Sequence, residues 1–375
     1  MVAAHLPDEA WLVALASLPA VGPSRLRWLL SLDEPRSVWN MVRSGALSAH
    51  SDRRSQRSGE LLGRWKQAAA AIDPADRWRA HVEAGIGVIG RGSRSFPTEL
   101  GDDDDPPAVL FWMGDIDVLA GTRVAIVGTR RATRYGIDVA DDLARGLSEA
   151  GVSVVSGLAL GIDGAAHAGA VAVDAAPPIA VVGSGLDRIY PRAHRGLWRA
   201  VAERGVVVSE YPLGAPAVAW QFPARNRIIA ALSDVVVVVE SQSTGGALGT
   251  AVEAARRGRT VLAVPGPVTA ASSDGTNQLL FDGCGPARDV GDILLALGRE
   301  PQRRRKAAEQ RPEPEAVARR VLDEIPWQAA SVEQIVISTG MELGPLMLVL
   351  DRLETDGWIA RRGGWIERIG RASSR

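Results

Sequence analysis

Cysteine and lysine are nearly absent from this chain. Cys284 is the one cysteine among 375 residues, so no intrachain disulfide can form, and we expect a reducing, cytoplasmic environment. Lys66 and Lys306 are the only lysines, so almost all positive charge comes from arginine. No apolar run is long enough to cross a bilayer, and the N-terminus lacks a basic segment followed by an apolar one. We therefore expect neither membrane insertion nor secretion.

Metal-ligand spacing is also missing. One cysteine and five scattered histidines offer no ligand set, and no cofactor motif is complete, so we expect neither a metal nor a cofactor. What remains is an ordinary globular composition, with 46% hydrophobic and 23% charged residues, and a length that predicts two or three domains. The net charge of −1 does not indicate a nucleic-acid-binding protein, but a balanced total can contain a local basic patch.

The first predicted domain, residues 1–82, is helical. Trp11 and several leucines recur at helical spacing on either side of Gly22-Pro23, which ends one helix and begins the next. A helix, a Gly-Pro turn and a second helix resemble helix-hairpin-helix and sterile-alpha-motif-like modules, which often contact DNA backbones. A small helical packing domain fits the same pattern, so both interpretations stay open.

The second predicted domain, residues 83–298, contains short β-branched runs that alternate with helical segments. Residues 124–127 and 235–239 are two such runs. Continuous apolar strands separated by helices predict a mostly parallel sheet covered on both faces, which is a Rossmann-like, doubly wound α/β fold. Ligands of such folds lie beyond the carboxyl ends of the strands.

The C-terminal part is predicted to be a separate domain on a linker. Residues 299–314 are charged and rich in proline, which is typical of a linker. Residues 315–375 show three helical patterns and then two short strands around residues 361–364, which predicts a winged-helix domain. Such domains bind duplex DNA or partner proteins, and the sequence does not separate these two functions.

The end of the first strand of the second domain carries the sharpest candidate site. Gly128-Thr129-Arg130 follows this strand, and Thr133 lies just before the next helix. Glycine lets the backbone turn closely, the helix directs free N–H groups at the turn, and an arginine fork matches phosphate oxygens. The further glycines of a dinucleotide motif and the Gly-Lys-Ser/Thr of a Walker loop are missing. A surface arginine in an ordinary turn is therefore the alternative.

Later loops complete a rim of glycines, aromatic rings and arginines. Aromatic rings stack with unpaired bases while cations follow the backbone, which is the combination that a single nucleic-acid strand requires. Ordinary packing, solvated arginines and helix starts are the alternatives at each position. The candidates are Gly157, Gly161, Arg192, Arg195, Phe222, Arg225, Asn226, Arg227, Gly245, Gly246 and Thr250.

From about Phe96 to Gly283, the content and order of these motifs closely resemble the DNA-processing A (Smf) family. The resemblance departs at residues 245–250, where the family usually has Ser-Gly-Ser-Leu-Ile-Thr and this chain has Gly-Gly-Ala-Leu-Gly-Thr, so two hydroxyls are lost. The matching segments are Gly128-Thr129-Arg130 with Thr133, Ser156-Gly157, Gly161-Ile162-Asp163, Ala166-His167, Gly185-Leu186-Asp187, Tyr190-Pro191, Ser209-Glu210-Tyr211-Pro212, Phe222-Pro223, residues 225–230, Leu232-Ser233, Val264-Pro265-Gly266 and Gly275-Thr276-Asn277.

The resemblance implies a binding protein rather than an enzyme. It implies that the protein binds and protects single-stranded DNA, forms a homodimer through the Rossmann-like core, and helps to load the RecA recombinase in natural transformation or recombination. It also implies a strand pocket centred on Arg130, with Gly128 and Thr133 beside it. Arg192 and Arg195 correspond to further cations of the family, and Phe222 to Arg227 belong to the same rim.

Two other functions fit parts of the pattern. Nucleoside-monophosphate phosphoribohydrolases have a Rossmann-type core, an upstream arginine and a Gly-Gly-x-Gly-Thr-x-x-Glu loop. Residues 245–253 are similar but have one extra residue, and Arg225 and Glu253 are the candidate pair for stabilising a positively charged sugar transition state. This interpretation leaves the winged helix and most other motifs unexplained. A winged-helix transcription regulator with a sensor core is the third class.

Overall fold

A computed structural model describes residues 6–49, 56–300 and 311–369 of the protein. Its N-terminal part is helical, as the sequence predicts. Gly22 precedes α2 and Pro23 occupies the first position of this helix, where its missing N–H costs nothing. The helices are α1 (Asp8–Ala16), α2 (Pro23–Leu30), α3 (Pro35–Ser44), α4 (Gln56–Ala71) and α5 (Pro74–Glu83).

A nine-stranded sheet follows, in the spatial order β1-β2-β6-β5-β4-β3-β7-β8-β9. The first two strands pair antiparallel, and β2 also pairs antiparallel with β6, whereas every other pair is parallel. The strands are β1 (Gly87–Gly90), β2 (Val109–Gly114), β3 (Arg123–Val127), β4 (Ser153–Ser156), β5 (Ile179–Val182), β6 (Val206–Ser209), β7 (Val235–Val238), β8 (Thr260–Ala263) and β9 (Gly285–Pro286).

Helices cover both faces of this sheet. On β3, Val124 and Ile126 pack against α7, α8 and α13, whereas Ala125 and Val127 pack against α10 and α11 on the opposite face. Both faces of the strand are therefore apolar, and the prediction of a doubly wound, mostly parallel fold is confirmed. The helices of this part are α6 (Thr98–Gly101), α7 (Arg134–Glu149), α8 (Ile162–Val171), α9 (Arg195–Arg204), α10 (Gln221–Leu232), α11 (Gly246–Arg256), α12 (Asp274–Phe281) and α13 (Val290–Ala296).

The strand order reverses between β3 and β7. From β3 the chain first adds β4, β5 and β6 on one side, then returns to add β7 and β8 on the other side. The connections that leave the carboxyl ends of β3 and β7 run in opposite directions, which opens a crevice between them. In doubly wound folds this reversal is where ligands bind.

The N-terminal helices share a hydrophobic core with the sheet. Leu12 and Trp39 belong to the same buried cluster as Val88 of β1 and Phe111 of β2. His81 of α5 adds a polar contact, because its Nε2 accepts a hydrogen bond of 3.1 Å from the N–H of Leu213. The helical part is therefore packed firmly against the antiparallel edge of the sheet.

A chain of ion pairs also joins the N-terminal helices to α10. Arg27 of α2 lies 2.5 Å from Asp105, which lies 2.7 Å from Nε of Arg227 on α10. The guanidinium of Arg227 makes a forked contact with the Glu210 carboxylate, at 2.7 and 2.6 Å. The side chains of Arg227 and Glu210 are both buried, so the Glu210 charge depends on Arg227 for compensation, whereas Arg227 has the more exposed Asp105 as a second partner.

The C-terminal part is a winged-helix domain, as predicted. A small antiparallel sheet with strand order β10-β12-β11 packs with three helices around Ile335, Leu350 and Ile366. Most of the predicted linker, residues 301–310, lies outside the described residues. The elements are α14 (Ala316–Glu324), β10 (Ala330–Ser331), α15 (Val332–Thr339), α16 (Leu343–Thr355), β11 (Ile359–Arg362) and β12 (Trp365–Arg368).

Within the described ranges, no single helix has the length and apolar character needed to cross a membrane. The sharply bent pair of α15 and α16 meets that test by length and composition only.

The Glu210–Arg227 pair provides a test of the fold. Glu210→Gln removes one charge of a buried pair, and we expect the free energy of unfolding to fall by about 3 kcal/mol, because the buried Arg227 then keeps only the half-exposed Asp105 as an ion-pair partner. Chemical denaturation followed by circular dichroism measures this loss. The control is Asp76→Asn, which breaks an exposed pair with Arg79 and should cost less than about 1 kcal/mol. Equal losses in the two variants would contradict the role given to the buried pair.

Candidate nucleic-acid interface

A cavity of about 980 Å³ occupies the crevice at the strand-order reversal. It is bordered by the loops that follow β3 and β7 and by the first turns of α10 and α11. Nine of the predicted site residues line it together, although they come from distant parts of the sequence. They are Gly128, Thr129, Arg130, Phe222, Arg225, Asn226, Gly245, Gly246 and Thr250.

The loop after β3 is held in place by Glu240, which follows β7. The N–H of Thr129 donates to the Glu240 carbonyl at 2.8 Å. Gly128 has no room for a side chain, because a Cβ there would lie 2.4 Å from Ile162 and 2.9 Å from that carbonyl. The close turn presents Arg130 at the mouth of the cavity, where its side chain is exposed.

Arg130 lies against an aromatic ring rather than an acid. Its guanidinium carbon is 4.9 Å from the centre of the Phe222 ring. The Tyr190 ring lies 5.4 Å from that of Phe222, with the two planes inclined by 45°. Across the described parts of the chain, Arg130 has no ion-pair partner. The mouth of the cavity therefore combines two aromatic rings with an uncompensated cation.

Arg225 is a second cation, buried in the wall of the cavity. Its guanidinium donates to the carbonyls of Val181 and Gly157 and lies 3.8 Å from the Asp163 carboxylate. Burial lowers the pKa of Arg225 to about 10, and the positive charge of Arg130 contributes to this shift. Burial also raises the pKa of the Asp163 carboxyl, although Arg225 opposes the change. Arg225 stays charged at neutral pH, so two guanidinium groups repel each other across a site that an anion would stabilise.

The start of α11 forms the remaining wall. Gly245 precedes this helix and Gly246 begins it, so the free N–H groups of its first turn border the cavity. Asn226 braces the turn by a hydrogen bond of 3.4 Å from Nδ2 to the carbonyl of Gly246. Backbone N–H groups thus occupy the region where the family usually has two more hydroxyls.

Thr133, another predicted site residue, does not line this cavity. It caps α7, where its Oγ1 accepts from the N–H of Gly136 at 3.1 Å and donates to Oε1 of Glu240. Its N–H donates to Oε2 of the same carboxylate at 2.9 Å. These bonds hold Thr133 beside a separate cavity that Trp327 and Glu367 also line, so its contact with a strand stays a prediction.

Two predicted glycines shape the site without lining it. A Cβ on Gly157 would lie 1.7 Å from Nη1 of Arg225, so this glycine makes room for the buried guanidinium. Gly161 has a φ of +76°, and a Cβ there would lie 2.3 Å from the carbonyl oxygen of Thr129. It lets the loop after β4 pack against the loop that carries Arg130.

The remaining predicted arginines lie outside the cavity. Arg192 and Arg195 are exposed on the segment that follows Tyr190, so they remain available on the outer surface. Arg227 is different, because Glu210 and Asp105 already occupy its guanidinium. Arg227 does not line this cavity, and these two acids hold it in place, so a contact with a strand stays a prediction for this residue.

Several lining residues were not predicted. Gln242 and Arg131 border the cavity, and Asp163 compensates Arg225. Gln242 follows the end of β7 and precedes the glycine pair, and this position at a strand end is the signal that could have identified it. Among the described residues, no group of three or more histidine, cysteine, aspartate or glutamate side chains is placed to hold a metal ion.

Known proteins share this architecture. The family profile described as DNA recombination-mediator protein A matches residues 87–298, and the DprA winged helix domain profile matches residues 305–364. A putative DNA processing protein DprA from Mycobacterium tuberculosis is 38% identical over 80% of this chain and 76% of its own length. Protein Smf from Escherichia coli is 36% identical over 76% of this chain and 78% of its own length.

Solved structures of two proteins share this fold. DNA processing protein A from Streptococcus pneumoniae superimposes with a TM-score of 0.64 at 29% identity, covering 77% of this chain and 98% of that one. The protein of the same name from Helicobacter pylori, whose structure was determined to describe its single-stranded DNA binding mode, gives a TM-score of 0.52 at 30% identity, covering 56% and 95%. The chain belongs to the DNA recombination-mediator protein A (DprA/Smf) family.

Proposed function

We propose that the protein binds single-stranded DNA in the cavity at the strand-order reversal and acts by binding rather than by catalysis. The observation that carries the proposal is Arg130, an uncompensated guanidinium that lies over the Phe222 ring at the cavity mouth. A phosphate would meet this guanidinium and the start of α11, while a base would stack on Phe222 or Tyr190. The Helicobacter pylori relative, described by its single-stranded DNA binding mode, supports the same function.

A single strand fits this site better than a duplex. The bases of a duplex are paired and stacked on one another, so they cannot enter a cavity or stack on protein rings. Unpaired bases can be splayed out, and stacking on an aromatic ring contributes about 1–3 kcal/mol per base. Phe222 and Tyr190 border the cavity at its mouth, where an unpaired base could stack on them.

Arg130→Ala tests the phosphate contact. A charge-assisted hydrogen bond contributes about 1.5–3 kcal/mol, so we expect affinity for a single strand to fall about tenfold or more. The slope of log affinity against log salt should flatten by about 0.7, because one fewer counterion is released. Arg130→Lys should restore only part of the affinity, because an ammonium cannot make the forked contact. Fluorescence anisotropy with labelled oligonucleotides across a salt series measures all three effects.

Arg288→Ala is the matched control, because Arg288 follows the edge strand β9, is not among the residues that line the cavity, and pairs with Asp292 on the surface. It removes the same charge and should leave the affinity and the salt slope close to those of the parent. If the Arg130→Ala protein unfolds at the same temperature as the parent and binds single strands equally well, this cavity is not where the strand binds.

We propose that the four segments 1–82, 83–298, 299–314 and 315–375 serve different roles, with strand binding in the second. Removal of residues 301–375 should leave most of the single-strand affinity, because every residue that lines the cavity precedes this segment. The isolated segment 311–375 should bind single strands weakly. Anisotropy on both fragments measures this, and the reverse pattern would transfer strand binding to the winged-helix domain.

We also propose that the bound strand is protected and then passed to the RecA recombinase, during natural transformation or recombination. The family description as a recombination mediator supports this role. We propose a homodimer, on the family resemblance. We propose a cytoplasmic location, which agrees with a lone cysteine that has no partner for a disulfide.

Glu253 bears on the alternative, hydrolytic function. It lines the cavity with Arg225, as a phosphoribohydrolase would require. However, its carboxylate pairs with Arg256 at 3.0 Å and with Arg257 at 2.5 Å. A carboxylate held by two guanidinium groups is poorly placed to stabilise a positive charge that develops on a sugar.

We therefore expect no hydrolysis of nucleoside monophosphates above the uncatalysed rate. Chromatographic detection of free base after incubation with each monophosphate measures this directly. Glu253→Gln is the control, and it should change nothing. Release of free base by the parent that disappears in Glu253→Gln would establish the enzymatic function instead.

A further inference from the structure

Trp220 is a large aromatic side chain that stays 55% exposed next to the strand cavity. It immediately precedes α10, whose second residue is Phe222. An edge-to-face contact with the buried Tyr211, with ring centres 6.2 Å apart and planes at 75°, sets the orientation of the indole. The core therefore holds the ring while much of its surface meets solvent.

A second cavity, of about 220 Å³, lies against this indole. Pro223 and Glu253 line both this cavity and the larger one, so the two are neighbours that meet at the first turn of α10. The opposite wall comes from the start of α2. The walls include Pro23, Ser24, Arg27, Trp220, Ala224 and Arg227.

The Gly22-Pro23 turn approaches the indole closely. A Cβ on Gly22 would lie 3.4 Å from Cη2 of Trp220. This is the turn whose sequence resembles DNA-contacting helical modules, and the structure places it beside the proposed strand path. The helical part thus borders the second cavity directly.

We propose that Trp220 and the start of α2 form a second base-binding subsite for the same single strand. The proposal rests on strand binding in the larger cavity. Side chains two positions apart on a helix do not face each other, so Phe222 and Trp220 project to different sides of Pro223. A strand that passes over Pro223 presents one base to Phe222 and a later base to Trp220.

The charges around the subsite indicate stacking rather than phosphate binding. Asp105 is paired with Arg27 and Arg227, and Glu253 is paired with Arg256 and Arg257. These acids are compensated, so they do not repel the strand strongly, and the two wall arginines are already occupied. The ring of Trp220 is the group left to interact, and every base has a face that can stack on it.

Oligothymidine strands of increasing length, bound to the full chain, test the subsite. The parent should gain affinity in a step once the strand is long enough to reach both cavities. Trp220→Ala should remove this step, so that long strands bind at least about fivefold more weakly while the shortest binding strands are unaffected. Its salt slope should stay unchanged, unlike that of Arg130→Ala. Trp220→Phe should keep most of the step.

Trp365→Ala is the matched control, because Trp365 is 51% exposed but lies on β12 of the winged-helix domain. It should leave binding at all lengths unchanged. Photo-crosslinking of the parent with a long strand that carries iodouracil should label Trp220, and this measurement does not depend on the folding of any variant.

Equal binding of the parent and Trp220→Ala at every length, or a crosslink map that omits Trp220, would overturn the subsite and leave strand binding intact. Equal weakening at all lengths would also overturn it, because Trp220 would then belong to the first cavity. A parent that binds no strand of any length would contradict the proposed function itself.

Discussion

One buried residue, Glu240, holds the loops after β3 and β7 together through its backbone carbonyl and its carboxylate. Glu240 follows β7, yet its carbonyl and carboxylate together accept hydrogen bonds from Thr129 and Thr133 in the loop after β3. Burial raises the pKa of the Glu240 carboxyl, and the bonds from Thr133 oppose that shift. Gly136 belongs to the same arrangement, because a Cβ there would lie 2.4 Å from the Glu240 carboxylate. Without this clamp the crevice between β3 and β7 would exist, but the position of Arg130 within it would not be fixed.

Much of the architecture could be predicted because it follows from hydrophobic patterning. The apolar runs at β3 and β7 specified strands buried on both faces, and glycines at strand ends marked the edge where ligands bind. The interaction partners of individual polar side chains could not be predicted. Arg225 and Arg227 are two residues apart on α10, and both are buried, but one enters the cavity wall while the other meets Glu210. That difference depends on partners contributed by distant segments, which no local pattern contains.

The contacts of α10 tie the site to the N-terminal helices. Arg227 reaches Glu210 in the core and, through Asp105, Arg27 on α2. Pro223 and Phe222, on the first turn of the same helix, border the cavity. A movement of the helical part relative to the sheet would therefore act on the turn that carries the aromatic ring. The shared hydrophobic core resists such movement, so the two parts supply one rigid surface rather than a hinged clamp.

The near absence of lysine has a consequence for how such a site can be regulated. The cations that line the cavity are Arg130, Arg131 and Arg225, and no lysine is among its lining residues. Acetylation neutralises lysine ammonium groups and leaves guanidinium groups untouched. Lysine acetylation, which can control DNA-binding proteins, therefore cannot change the charge of the residues that line this cavity. A modification that neutralises the positive charge of this cavity would have to act on guanidinium groups instead.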